Sequence, residues 1–98
     1  MARAGDGLPS KLEERMKRCI ESYFASRDPA AVVTIRPRQR GLVEVAVISA
    51  LFEVMDSEER ERLTWEAYEH LDRSDMVHIA YTLMLTPGEA HQSYPDGI

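Results

Sequence analysis

The segment Leu42-Val-Glu-Val-Ala-Val-Ile-Ser-Ala-Leu51 constrains this chain more than any other, because apolar residues fill both its even and its odd positions. A strand that is apolar on both faces is covered on both sides for part of its length, so it belongs at the centre of a sheet. Upstream, Val32, Val33, Thr34 and Ile35 favour a strand over residues 31–35, and Pro37 with Gly41 marks the turn that joins the two. Downstream, residues 76–85 read as a third strand. Val77, Ile79, Tyr81, Leu83 and Leu85 fall on one face, and Met76, His78, Ala80, Thr82 and Met84 on the other. Thr86-Pro87-Gly88 stops it.

Two helices complete the pattern. Ser10 with Glu13 forms a capping box, and Leu12, Met16, Cys19, Ile20, Tyr23 and Phe24 recur at intervals of three and four, which predicts a helix over 11–26 that ends before Pro29. Asp56 with Glu59 repeats the device, and Leu63, Ala67, Tyr68 and Leu71 carry a second helix over 57–72. Ninety-eight residues, 44% of them hydrophobic, make one small domain. The expected organisation is a flexible N-terminus over 1–9, a single domain over 10–89 and a flexible tail over 90–98. Each helix has one apolar stripe, so both should pack on one face of the three-stranded sheet in an α+β fold, leaving the other face as a candidate partner surface.

The net charge of −5 is unevenly spread. Residues 1–52 hold nine Lys/Arg against six Asp/Glu, a sum of +3, whereas 53–75 hold nine acids against Arg60, Arg62 and Arg73, a sum of −6. Such a balance opposes tight non-specific nucleic-acid binding, which depends on neutralising phosphates, and leaves only a local basic patch open. The longest stretch without a charged residue, 76–88, is too short to cross a bilayer, and the N-terminus has no apolar signal core, so a cytoplasmic location is expected. Cys19, the one cysteine, cannot form an internal disulfide and lies in an apolar helical stripe, which reads as core. With no nucleophile and base in a recognisable pattern and no glycine-rich phosphate loop, catalysis is not expected.

Six residues are candidates for a site. Arg36, Arg38 and Arg40 alternate through the first turn, where they could face an acidic partner or phosphate or simply solubilise a loop. Arg60 and Arg62 lie among Glu58, Glu59, Glu61 and Glu66, and intrahelical ion pairs account for them. His78 interrupts an apolar strand. From spacing alone it reads as a half-exposed strand histidine, since one imidazole makes no metal site without other ligands. His70 reads as a cap near a helix end and His91 as part of the tail, while Trp65 is either core or an exposed anchor.

Two segments read together resemble the BolA family of small stress-response and iron–sulfur-associated proteins. The first is Phe52-Glu-Val-Met-Asp-Ser-Glu-Glu-Arg-Glu-Arg-Leu-Thr-Trp-Glu-Ala67, similar to that family's Phe, short loop, Arg-His-Arg and helix. The second is Val77-His-Ile-Ala-Tyr-Thr-Leu-Met-Leu-Thr-Pro-Gly-Glu89, similar to its His-Ala-Leu, strand and Thr-Pro-x-Glu. The resemblance covers about residues 10–90. It implies an αββ(α)αβ domain related to class II KH folds, with a short helical turn before the second long helix. It also implies a non-enzymatic protein that pairs with a monothiol glutaredoxin around a shared [2Fe-2S] cluster not bound by this chain alone, or, as in some bacterial members, a DNA-binding transcriptional regulator. A homodimer is a further possibility from the open sheet face. By this carry-over His78 is the metal ligand, and Arg60 and Arg62, with Arg36, Arg38 and Arg40, are the partner or nucleic-acid contacts. The departures are specific. Glu61 replaces the middle histidine of Arg-His-Arg, Val54 replaces a glycine, and the Arg36–Gly41 turn has neither the cysteine nor the histidine that serves the family as second cluster ligand.

Overall fold

The computed structural model describes residues 11–96. In chain order the elements are α1 (Leu12–Ala25), β1 (Val32–Pro37), a 3-10 turn (Gln39–Gly41), β2 (Val43–Ile48), a second 3-10 turn (Ala50–Val54), α2 (Ser57–Tyr68), α3 (Arg73–Met76), β3 (Ile79–Leu85) and α4 (Pro87–Ser93). This is the expected α+β order with its extra helical turn before the second long helix. β2 is central: it pairs antiparallel with β1 and parallel with β3.

The core follows from periodicity. Leu12, Met16, Ile20 and Phe24, spaced by four, are all buried on α1. They meet Val33 of β1 and Val43, Val45 and Val47 of β2, with Phe52, Ala67 and Tyr68 closing the cluster from the α2 side. Both long helices therefore lie on one sheet face. The opposite face carries Thr34, Glu44, Ala46 and Tyr81, and Glu44 and Ala46 are buried there too, as a strand apolar on both faces requires.

Several boundaries differ from expectation, each for a local reason. The capping box read at Ser10 falls outside the described residues at its first member; the residue before α1 is Lys11, in a left-handed conformation with no side-chain cap. β2 ends at Ile48 because the Ser49 hydroxyl takes the Leu51 N–H and tightens the chain into the 3-10 turn. α2 starts at the expected box, with Glu59 N–H donating to Asp56 at 2.8 Å and Asp56 N–H to Glu59 at 3.2 Å. It ends at Tyr68, which leaves His70 beyond the helix. β3 begins at Ile79 and not at Met76, since Asp72 and the following residues turn through α3.

A bulge sits at the start of β3: Val43 pairs with Ile79 but Glu44 pairs with Tyr81, leaving Ala80 as an extra residue. The expected alternation therefore fails there. Ile79 packs on the helix-side core while Tyr81 lies on the opposite face. Residues 87–93, partly expected as tail, form α4, because Thr86 and Glu89 make a second capping box ahead of Pro87 at the first helical turn. No helix among the described residues is long and apolar enough to cross a membrane.

Candidate functional site

His78 is fixed by three hydrogen bonds at the base of the β1–β2 turn. Its N–H donates to the Asp75 carbonyl at 3.0 Å, its carbonyl accepts from Val43 N–H at 2.8 Å, and its ring Nδ1 lies 2.8 Å from the Gly41 carbonyl oxygen. A carbonyl can only accept, so Nδ1 carries the proton and the neutral ring keeps its lone pair on Nε2. The turn is shaped to offer that carbonyl. Arg40 and Gly41 both adopt left-handed conformations, with φ of 62° and 70°, which glycine takes freely and arginine only at a cost.

The three turn arginines do not form one free patch. The Arg36 guanidinium is 3.6 Å from Glu44 Oε2, and the Arg38 guanidinium stands 5.9 Å from the centre of the Tyr81 ring. Arg40 is exposed. Glu44 is only 4% exposed on the helix-free face of β2. Its Oε1 accepts the Tyr81 hydroxyl at 2.5 Å, and its Oε2 has no hydrogen bond, the arginine lying beyond hydrogen-bonding distance. The bond to Glu44, followed by burial, pushes the Tyr81 phenol up from its ordinary value.

Arg60 lies at the other end of β3, about 20 Å along the strand, and its guanidinium is fully engaged. It donates to the Met55 carbonyl at 3.3 Å, to the Met84 carbonyl at 3.1 Å and to both Glu89 oxygens at 2.7 and 3.3 Å, and it covers the Phe52 ring at 5.7 Å. The hydrogen bond from Arg60 holds the Glu89 carboxyl below its usual range. Arg62 is exposed on α2. The fold therefore brings His78 to Arg36, Arg38 and Arg40 and separates that group from Arg60.

Other ligand candidates stand apart from His78. Cys19 is half-buried, and burial with the nearby Asp72 charge raises its thiol. His70 rests 5.5 Å from the Tyr23 ring and His91 is exposed on α4. Among the described residues no three His, Cys, Asp or Glu side chains could hold a metal ion together. An iron–sulfur cluster takes four thiolate or imidazole ligands, so the donors present fit one coordination position and not a resident cluster.

Three features were not read from sequence: the Glu44–Tyr81 pair, the Thr86–Glu89 box and the clamp on Arg60. The box had a signal, since Thr-x-x-Glu is a helix start. The other two depend on strand register and on where α4 returns, which spacing does not encode.

No protein-family model matches the sequence, and no curated protein matches it either. Among solved structures, the solution structure of BolA1 protein from Mus musculus is similar, with a TM-score of 0.54 and 18% identity, over 95% of this chain and 79% of that one. A bol-like protein from Babesia bovis also aligns, with a TM-score of 0.45 and 23% identity, over 79% of this chain and 91% of that one. The fold is BolA-like.

Proposed function

We propose that this chain is a non-enzymatic, cytoplasmic BolA-like adaptor that docks on a monothiol glutaredoxin and offers His78 as a single ligand to a [2Fe-2S] cluster held by that partner, in cluster transfer or in iron and stress regulation. The observation that supports it is the Nδ1–Gly41 hydrogen bond. A backbone carbonyl bound to one ring nitrogen fixes the tautomer and orients the other nitrogen, the usual support behind a metal-ligating histidine. Cys19 is half-buried and raised, so it is a poor substitute ligand. When bound, the cluster would supply iron for coordination and transfer. This chain's part is to direct the Nδ1 proton to Gly41, so that the neutral ring presents its lone pair on Nε2, and to present the basic turn beside it.

The nucleic-acid reading has weaker support. Arg60 is spent inside the fold, Arg36 faces Glu44, and Glu61 stands between Arg60 and Arg62 on α2. The test is an NMR titration of labelled protein with apo and cluster-loaded monothiol glutaredoxin, run beside visible absorbance and repeated with His78→Ala. Paramagnetic broadening centred on His78, with a change in cluster absorbance that the variant abolishes, is the expected result. If neither form of glutaredoxin perturbs the spectrum, the adaptor reading is wrong.

A further inference from the structure

β3 is an edge strand with an open groove beside it. The sheet order leaves one side of β3 without a strand among the described residues, and α2 runs along its helix-side flank. Between them lies a groove of about 310 Å³, lined by Thr64, Trp65 and Tyr68 of α2 and by Ala80, Thr82 and Met84 of β3. Trp65 is 52% exposed there, while Tyr81 borders the groove from β3 with its hydroxyl turned to Glu44 on the other sheet face. An exposed tryptophan on a groove is a costly arrangement for a folded chain, and this residue type carries much of the energy of protein contacts.

The backbone says what shape would fill it. The carbonyls of His78 and Leu85 point at β2, where they accept from Val43 and Ser49. A parallel ladder alternates, so counting back from Leu85 directs the N–H and C=O of Thr82 and the N–H of Met84 outward. The Met84 carbonyl also points outward, and Arg60 occupies it. The open edge is therefore short: it runs from the Ala80 bulge to Met84 and is capped by a guanidinium. An extended peptide satisfies such an edge and a helix does not.

Charge selects the occupant. Glu61 lines the groove, and Glu58, one turn earlier on the same face of α2, is exposed. A second copy pairing through β3 would bring two such acidic rims together. We propose that the α2–β3 groove accepts an extended, strand-forming segment of a partner protein with a lysine or arginine opposite Glu61. His78 does not line the groove, although its neighbour Ile79 does, and this inference rests on the groove and not on the cluster reading.

The test is a titration of the labelled full chain with the peptide acetyl-Thr-Lys-Val-Thr-Val-Lys-Thr-amide, its counterpart with both lysines changed to glutamate, a version with proline at the centre, and an eight-nucleotide thymidine oligomer. The basic peptide should shift the amides of Ala80, Thr82 and Met84 and the Trp65 indole in a saturable way. The acidic peptide should bind about fivefold more weakly, and Glu61→Lys should reverse that preference. Trp65→Ala should weaken binding by about tenfold or more, with the dispersion of the other amides checking that the fold persists. The inference is overturned if the basic peptide leaves those amides unmoved at about 1 mM or if the proline version binds equally well. It is equally overturned if only the oligomer moves them, or if they shift on dilution while sedimentation shows a dimer.

Discussion

The two ends of β3 use the same residue types to opposite effect. At the Met84 end, Arg60 is only 17% exposed in its side chain and ties α2, the turn before it, β3 and α4 together. At the His78 end, Arg36, Arg38 and Arg40 are exposed, and two of them make only loose contacts with Glu44 and Tyr81. The tyrosines show the same contrast across the two faces of β3. Tyr68 is buried on the helix side and bonded to Thr82, while Tyr81 is half-exposed and bonded to Glu44. One end is closed by partners within the fold, and the other keeps polar groups where a second molecule can reach them. An arginine's role is therefore set by how many fixed acceptors surround it and not by its charge.

The largest expected effect is on the buried, helix-side face of β3 in alkali. Burial pushes the Tyr68 phenol up to about 12. A raised folded value means the folded state holds its proton longer, so the stabilisation is complete below the ordinary tyrosine value near 10 and is lost as pH rises from there towards 12. The loss should be about 2.5 kcal/mol across that window. Chemical denaturation from pH 8 to 12 should show it, and Tyr68→Phe should flatten it more than Tyr81→Phe, whose phenol is also raised but lies less buried. A similar flattening by both would erase the contrast.

Next comes Arg60→Ala, which orphans two carbonyls and uncovers Phe52. It should cost about 2 kcal/mol, or about 10 °C in thermal midpoint for a domain of this size. The same pair governs the acid limb. Glu89 is held below its usual value, so its contribution is present above the ordinary carboxylate range and disappears as pH falls through the lowered value. Acid unfolding of Arg60→Ala should begin less steeply than that of the parent.

At the open end the effects shrink. His78→Ala removes one hydrogen bond and should cost about 1 kcal/mol, with its main consequence in the glutaredoxin titration. Arg40→Gly relieves a left-handed arginine at the expense of a more flexible unfolded chain, for a net gain of about 0.5 kcal/mol. Arg38→Ala should change stability by less than about 0.5 kcal/mol. A loss above 1 kcal/mol at Arg38 would mean that the turn is as locked as the Arg60 clamp.

Much of the fold is legible in the chain. The four-residue spacing of Leu12, Met16, Ile20 and Phe24, the Asp56–Glu59 box and the doubly apolar run around Val45 each specify an element locally, and each is present. Misreadings arose where side-chain polarity is silent about backbone pairing. His78 looks like a strand residue by alternation, but the α3 turn and the Ala80 bulge place it before β3 and against Gly41. Thr86-Pro87-Gly88 does end β3 at Leu85, but the box around it also starts α4, where a tail was expected from residue 90.

The chain alone determined the kind of fold and its core, because burial of periodic apolar residues is a local property summed along the sequence. Tertiary structure alone decided which arginines are spent and which are exposed, which nitrogen of His78 keeps its lone pair in the neutral ring, and which outer strand borders the α2 groove. Those outcomes depend on residues such as Gly41 and His78, or Arg60 and Glu89, that are 37 and 29 positions apart. Contacts of that separation are fixed by register and packing, and no local pattern encodes them.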